Sequence, residues 1–513
     1  MYFIYYLERA NLVTIAVRKL EDTGAQVISI VCDAPAVHQS LLKELGADLS
    51  SEGLNPTLNL TGVEHPIEAL LDNPHSIKNI RNSWESLGTM YNSDGEAIKW
   101  EYLKELYNVQ SFKGIVLANK LNANHIFYHN QKQKVCFATQ VFSNSCAKGL
   151  KYMREVLHHP KFEGSKATEE FLLVINNAFD TLNSRGYDKI EMKSWLGKFN
   201  KNLVYHAFSR AENVIRGLQD ENGNPIINSR KRIGFVAMLL NILAVKNMYK
   251  NLIETGKLKY LATWFFNQDS LENFFSCVRG HYGSNNNPTA SQFSNMYRRL
   301  LLGITGNIAV NVHSNVMVNS QCELAVLGST TAEKIDMIVP LEDQEETDDM
   351  AVTDLYLPQY EKDIASYIGG YVVRRLEREV HCPDCTAKFR ADKPNGPSLT
   401  SIKDNGGLIY TCDTISKIFN VAEKHLKASL NFTTALSDKN FIEKNTCKIQ
   451  SSCLELIHNL PEAFDEHFSN TLRRMIQIYI CIRCKHFSKD YNTEMKKNQT
   501  RQKMNRITLF RHF

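Results

Sequence analysis

A chain of 513 residues exceeds one ordinary core, and its length fits about three or four domains. Its 60 Lys+Arg against 55 Asp+Glu leave a net charge of +5, an excess that permits nucleic-acid contact without demanding it. Twelve cysteines behind an N-terminus with no basic start or cleavage site exclude a secreted disulfide framework, and point to reduced thiols or metal ligands inside a cell.

Residues 1–7 (MYFIYYL) read as a strand. Residues 10–20 place apolar side chains at helical spacing, and after the turn Asp22-Thr23-Gly24 a β-rich run, 26–32, ends at Asp33. A helical pattern over 37–45 stops at Gly46, which completes an αβα order typical of α/β folds, where functional groups sit at strand C-termini. From 82 to 260 the pattern is almost continuously helical, as in 171–182 and 234–252, and reads as a separate helical body. Its longest apolar run, 233–245, is interrupted by Asn241 and is shorter than the roughly 18 residues of a bilayer span, so no membrane partner is expected.

Trp264-Phe265-Phe266-Asn267 leads into a helix over 269–279, the polar turn 283–288 and a further helix over 290–301. Glu342, Asp343, Glu345, Glu346, Asp348 and Asp349 form an acidic cluster that resists packing, so 306–357 reads as a linker. The last part, 358–513, is again mostly helical and closes with a basic tail.

A carboxylate at a strand end, such as Asp33, can hold Mg²⁺, which favours a few oxygen ligands and keeps several waters. The same residue ahead of Ala34-Pro35 also reads as a helix N-cap or turn residue. Asp269 and Glu272, three apart, project from one helix face and can aim at one metal ion; equally, they suit an N-terminal dipole contact and an exposed Glu. Cys382-Pro383-Asp384-Cys385 and Cys481-Ile482-Arg483-Cys484 are C-x-x-C pairs of the kind that bind Zn²⁺. Cys382 and Cys385, with Cys412, are the better ligand set, since Cys481 lies in an apolar helical run. Arg473, Arg474, Arg483, Lys485 and the tail, residues 496–511, suit phosphates or simply solvent. Neither Gly197-Lys198 nor Gly256-Lys257 has the Gly of a P-loop five positions earlier.

The string Gln268-Asp269-Ser270-Leu271-Glu272-Asn273-Phe274-Phe275, followed by Arg279, Asn285-Asn286-Asn287-Pro288-Thr289-Ala290 and Gln292-Phe293, resembles the signature of P-element-type transposases, the THAP-domain transposases among them. Agreement in order extends to Arg9-Ala10-Asn11-Leu12, Val31-Cys32-Asp33, Asp72 with His75, Lys78, Arg81 and Asn82, Ala118-Asn119-Lys120-Leu121 with His125, and Leu182-Asn183-Ser184-Arg185. The resemblance implies an RNase H-like α/β catalytic domain (1–81 and 261–305) interrupted by a large helical GTP-binding insertion (82–260), the acidic linker 306–357, and a helical C-terminal domain (358–513).

It further implies a nuclear enzyme that cuts and joins DNA with Mg²⁺ and GTP, multimeric on transposon ends. Asp33 then resembles the second acid and Glu272 the last of an Asp-Asp-Glu triad. Asp269 resembles a carboxylate associated with the nucleotide's metal, and Asn119, Lys120 and Asp180 would meet guanine. The family's first Asp lies on a strand upstream of the segment matching residues 2–12, and before Asp33 the only acids are Glu8, Glu21 and Asp22, none at a matching position. With neither that Asp nor the zinc-binding THAP module, the expectation is an inactive relative, or a domesticated GTP- and DNA-binding protein without catalysis.

Overall fold

The structure, a computed structural model, describes residues 2–301 and 357–485, apart from 114–115, 119–120, 187–190, 282–286, 381, 383–386, 395, 430–440, 455 and 457–465. All of the basic tail, 496–511, and all but the last residue of the acidic linker therefore lie outside the described residues. The chain is mostly helical with small sheets and divides into two compact units. One comprises 1–108, 118–150 and 161–339, the other 109–117, 151–160 and 340–513.

The first unit opens with helix α1 (Tyr2–Glu21), not with the strand expected over residues 1–7. An apolar run without polar alternation does not fix a strand, and the helical spacing of 10–20 extends backwards through it. Strand β1 (Ser29–Cys32) and helix α2 (Ala36–Glu44) follow, so the αβα order holds, and Val17 of α1 and Leu42 of α2 are buried in one core with β1 and β3 (Ile67–Leu71). Every residue of β3 is buried, as in a strand covered on both faces. It is the middle strand, parallel to β1 and antiparallel to the short β2 (Thr57–Leu58).

Helix α3 (Asn73–Leu87) leaves the sheet directly and runs into the helical block, so one continuous helix joins the segments read as 1–81 and 82–260. Around its end, Trp84 packs edge-on against Trp100 at 5.0 Å and Phe171 at 5.3 Å, and stacks on Phe142 at 6.0 Å between centroids. The block continues through the hairpin β4 (Thr89–Tyr91) and β5 (Ala97–Lys99), then α4 (Glu101–Lys113), α5 (Ala123–Ile126), α6 (Val135–Val141), α7 (Asn144–Glu155), α8 (Lys166–Leu182) and α9 (Lys201–Gly217).

Helix α10 (Ile233–Met248) returns to cover β3 and α3. With its continuation to Glu254 it is long and apolar enough to cross a membrane, but it is mostly buried as a core helix. Gly234 permits the approach: a Cβ there would stand 2.6 Å from the Ile80 backbone nitrogen. Asn241, the interruption in the apolar run, accepts from the Leu71 N–H at 2.9 Å and donates to the Leu71 carbonyl at 2.6 Å.

In the second unit, the helices Gln359–Glu379, Asp413–Ser429, Phe441–Ser452 and 466–485 enclose a core that includes Val372, Leu376, Phe419, Leu426, Ile449, Met475 and Tyr479. Arg483, one of the residues suited to phosphates by sequence, is buried here. Its guanidinium grips Glu423 through two bonds of 2.9 and 2.8 Å, and Tyr479 donates to the same carboxylate at 2.8 Å. Arg473 pairs with Glu443, and Arg474 with Glu379 at 2.8 Å. The phosphate-binding reading is corrected for Arg483, which is a core ion pair; Arg473 and Arg474 are partly exposed and lie in surface pairs.

Replacing Asn241 with Leu orphans two buried backbone groups, each costing about 1–3 kcal/mol. Asn241→Leu is expected to lower unfolding free energy by roughly 2–4 kcal/mol in urea titration; a loss below about 0.5 kcal/mol would remove Asn241 from its structural role.

Candidate metal centre

Cys32 of β1 pairs in register with Leu71 of β3, so the next residues, Asp33 and Asp72, leave adjacent parallel strands side by side. The Asp72 N–H donates to the Cys32 carbonyl at 2.9 Å, extending the ladder by one bond. Burial, reinforced by the negative charges of Asp33 and Asp72, pushes the Cys32 thiol up to about 12.

The cap reading of Asp33 does not hold, because α2 is capped by Pro35 with no side-chain bond. Asp72 is the capping aspartate. Its Oδ2 accepts the His75 backbone N–H at 2.9 Å at the start of α3, where Pro74 suits the first turn. The same oxygen lies 2.5 Å from His75 Nδ1, which is also 3.1 Å from Asp33 Oδ1. The hydrogen bond to Asp72 raises the His75 pKa, with burial opposing it and the charges of Asp72 and Asp33 adding to it. Ligand atoms of Asp33, Asp72 and His75 all lie within 4.8 Å of one another. Among the described residues this is the one such group of three.

Helix α11 (Asp269–His281) closes the site from the far end of the unit's sequence. The Gln268 N–H donates to Asp72 Oδ1 at 2.9 Å, and with its amide oxygen and nitrogen interchanged, the orientation that satisfies both atoms, the Gln268 side chain donates to Asp33 Oδ1 at 2.9 Å and accepts the Asp33 N–H at 3.2 Å. Asp269 and Glu272 occupy the first turn of this helix. Both carboxyls titrate above their ordinary range. For Asp269 the causes are burial and then the Asp72 charge, with Arg185 opposing; for Glu272 they are burial and the charges of Asp72 and Asp269, with His75 and Lys78 opposing. Asp269 and Glu272 thus lie within the electrostatic reach of Asp72 and His75, and Gln268, the residue before them, is bonded to Asp72, although 239 positions (272 − 33) separate Asp33 from Glu272.

Asp72 and His75 were not singled out as ligands from sequence. The available signal was a strand-length, mostly apolar run, 67–71, ended by Asp72-Asn73-Pro74. Asn119 and Lys120 lie outside the described residues. Asp180, on α8, accepts from Asn176 at 3.0 Å and pairs with Lys193 at 3.4 Å. Cys382, Cys412 and Cys484 pack against the helical core of the second unit, where burial pushes the Cys484 thiol up to about 11; Cys481 is partly buried, and Cys385 lies outside the described residues.

Comparison with known proteins bears on this arrangement. Residues 74–195 match the family model described as TNP-like, GTP-binding insertion domain, and residues 265–298 the TNP-like, RNase H C-terminal domain. Residues 356–489 match the DNA transposase THAP9, C-terminal domain. Human DNA transposase THAP9 is 24% identical over 517 residues, covering 94% of this chain and 56% of that protein. The Drosophila melanogaster Transposable element P transposase is 27% identical over 375 residues, covering 70% of this chain and 47% of that protein. The chain is similar to P-element-type transposases over most of its length. It spans about half the length of these curated relatives. The Drosophila P element transposase strand transfer complex matches in structure with a TM-score of 0.50 at 26% identity, over 57% of this chain and 64% of that one.

Two carboxylates and an imidazole suit Mn²⁺, and the carboxylates suit Mg²⁺. The donor set therefore fits a hard divalent cation, with Asp33, Asp72 and His75 as its holders and Asp269 and Glu272 on the first turn of the helix that follows Gln268. Because the folded-state pKa of His75 is raised, its contribution to stability is fully present below the unfolded value and is lost as pH rises through the folded one. In metal-free buffer the urea midpoint should fall as pH rises above the ordinary imidazole value of about 6.5, and His75→Gln should flatten that part of the profile; an unchanged profile in the variant would assign the dependence to other groups.

Proposed function

We propose that the first unit is the metal-binding core of a transposase-type protein that handles DNA ends by phosphoryl transfer, with GTP held by the helical insertion. The observation that carries this reading is the emergence of Asp33 and Asp72 from adjacent parallel strands beneath a helix whose first turn holds Asp269 and Glu272. The chemistry supplied by bound dications would be stabilisation of the attacking and leaving oxygens of an in-line displacement. The chain's own residues set the geometry. Gln268 holds Asp33 by its amide and Asp72 by its backbone, and His75 bridges both carboxylates through one nitrogen. A DNA substrate implies a nuclear location and, by analogy with its relatives' chemistry, self-association on paired ends.

GTP binding is supported by the family match over 74–195, whose description names a GTP-binding insertion. Calorimetry with both nucleotides is expected to show GTP binding more tightly than ATP; equal affinity, or none, sinks the nucleotide assignment and leaves the metal centre standing.

A second reading, in which the chain binds DNA and GTP without cutting, draws on the ligand count. Among the described residues one three-ligand group is present, whereas a two-ion clamp needs several carboxylates to hold two dications against their repulsion. We propose that this chain alone holds one ion and leaves DNA with P-element-type ends uncut in Mg²⁺ or Mn²⁺ with GTP. Losing one preorganised electrostatic contact already costs on the order of a hundredfold to a thousandfold in rate. The comparison is with Asp33→Ala, Glu272→Ala: cleavage by the parent chain that vanishes in the double variant would show that the carboxylates present suffice.

A further inference from the structure

Asp72, His75 and Lys78 recur every three residues along the first turns of α3 and so share one side of it. Lys78 is 5% exposed, unusual for a lysine, which is seldom buried without a partner. It nevertheless makes no direct ion pair with any described residue. The charged groups that act on it are the carboxylates of Asp72, Glu272 and Asp33, drawn from three separate elements, and one cation, Arg81. A surface lysine would find one carboxylate. This one lies within reach of three.

We infer that Lys78 is the internal counter-ion of the metal centre, a positioning residue whose ammonium keeps Asp33, Asp72 and Glu272 together when no dication is bound and opposes the dication when one arrives. This inference rests on the metal reading of the same site. The physical basis is elementary: like charges gathered in a poorly hydrated pocket repel strongly unless a cation lies among them. A fixed ammonium beside the pocket supplies one such charge. It also subtracts from the field that a second cation experiences, so its removal should act in opposite directions on the empty and the loaded protein. Simple loss of packing would not do that.

The test uses the full chain and Mn²⁺, with free Mn²⁺ read by electron paramagnetic resonance and stability read by thermal melting with and without the ion. Lys78→Met keeps an unbranched side chain one atom shorter and removes its charge. It should bind Mn²⁺ at least about tenfold more tightly than the parent, the scale of one unit charge acting over several ångströms at the effective permittivity of a protein. It should also melt lower than the parent without metal, and regain that difference when Mn²⁺ is added. Lys78→Arg, which keeps the charge, should bind Mn²⁺ as the parent does.

A Lys78→Met protein that melts lower but binds Mn²⁺ with the parent's affinity would overturn the inference and make the residue a packing element. Unchanged Mn²⁺ affinity with weakened binding of a DNA duplex would overturn it equally, by assigning the ammonium to a phosphate. If Lys78→Met does not fold, an Mn²⁺ affinity for Lys78→Gln equal to the parent's has the same consequence. Failure of the parent chain itself to bind Mn²⁺ is a separate result that removes the metal reading of the site.

Discussion

The site depends on how the sheet ends at Leu71. On one side β3 is paired with β1 as far as Cys32, but on the other side β2 reaches only Ile67 and Glu68. The edge beyond β2 would leave the N–H and carbonyl of Leu71 without partners in a buried setting, at a cost of about 1–3 kcal/mol for each. Asn241 supplies both missing bonds from α10 and so acts as the continuation of β2. A polar residue inside an apolar helix is tolerated because both ends of its amide are used. The end of the strand is then fixed, and Asp72 follows it immediately.

A second constraint comes from the approach to α11. Thr263 Oγ1 donates to the Thr181 carbonyl at 2.6 Å and accepts the Ser184 N–H at 3.1 Å, and the Trp264 N–H donates to the Ser184 carbonyl at 3.2 Å. Next to this joint the Arg185 guanidinium lies 5.4 Å from the centre of the Trp264 ring and lowers the cost of ionising Asp269. The end of α8, inside the stretch matching the nucleotide-binding insertion, therefore holds the segment that aims Asp269 and Glu272. Movement of α8 would be felt at the carboxylates through a buried hydrogen-bonded joint rather than through a flexible connection.

Much of this was legible in the sequence, and the omissions have physical causes. Asp33 could be read because Ser29–Cys32 is β-branched and apolar and stops at a Pro-containing helix start. Asp269 and Glu272 could be read because three-residue spacing on a helix puts them on one face. Asp72 was harder. Its strand, Ile67-Glu68-Ala69-Leu70-Leu71, lacks alternation and contains Glu and Ala, which strands disfavour. Glu68 is tolerated in the core because Asn247 and Thr57 donate to it, contacts that come from 179 and 11 positions away. Arg483 misled for the same reason, since the Glu423 that neutralises it lies 60 positions back. Residues 1–7 misled because aromatic and branched side chains raise strand propensity locally, while the helix that takes them is decided by the residues after them.

Helix α3 makes the stretch that matches the GTP-binding insertion domain continuous with the sheet. Its first turns carry Asp72, His75 and Lys78, and about one turn later Arg81 is fully buried with its guanidinium 3.8 Å above the centre of the Tyr128 ring and bonded to Asn82 and to the Lys132 carbonyl. One turn further, Trp84 is the centre of the aromatic core of the insertion. A helix rises about 1.5 Å per residue, so the metal centre and that core stand only some 18 Å apart along one unbroken axis. Gly234 presses α10 against the middle of the same helix, and α10 in turn holds the end of β3 through Asn241. Three parts that are distant in sequence, the sheet, the insertion and α10, thus share one rod. Rotating or shifting α3 by a fraction of a turn would break the Asp72 cap, the Gly234 contact and the Arg81 stack together. Its position is therefore over-determined, and that rigidity lets a short three-stranded sheet present two carboxylates to a helix nearly 200 residues away in the chain.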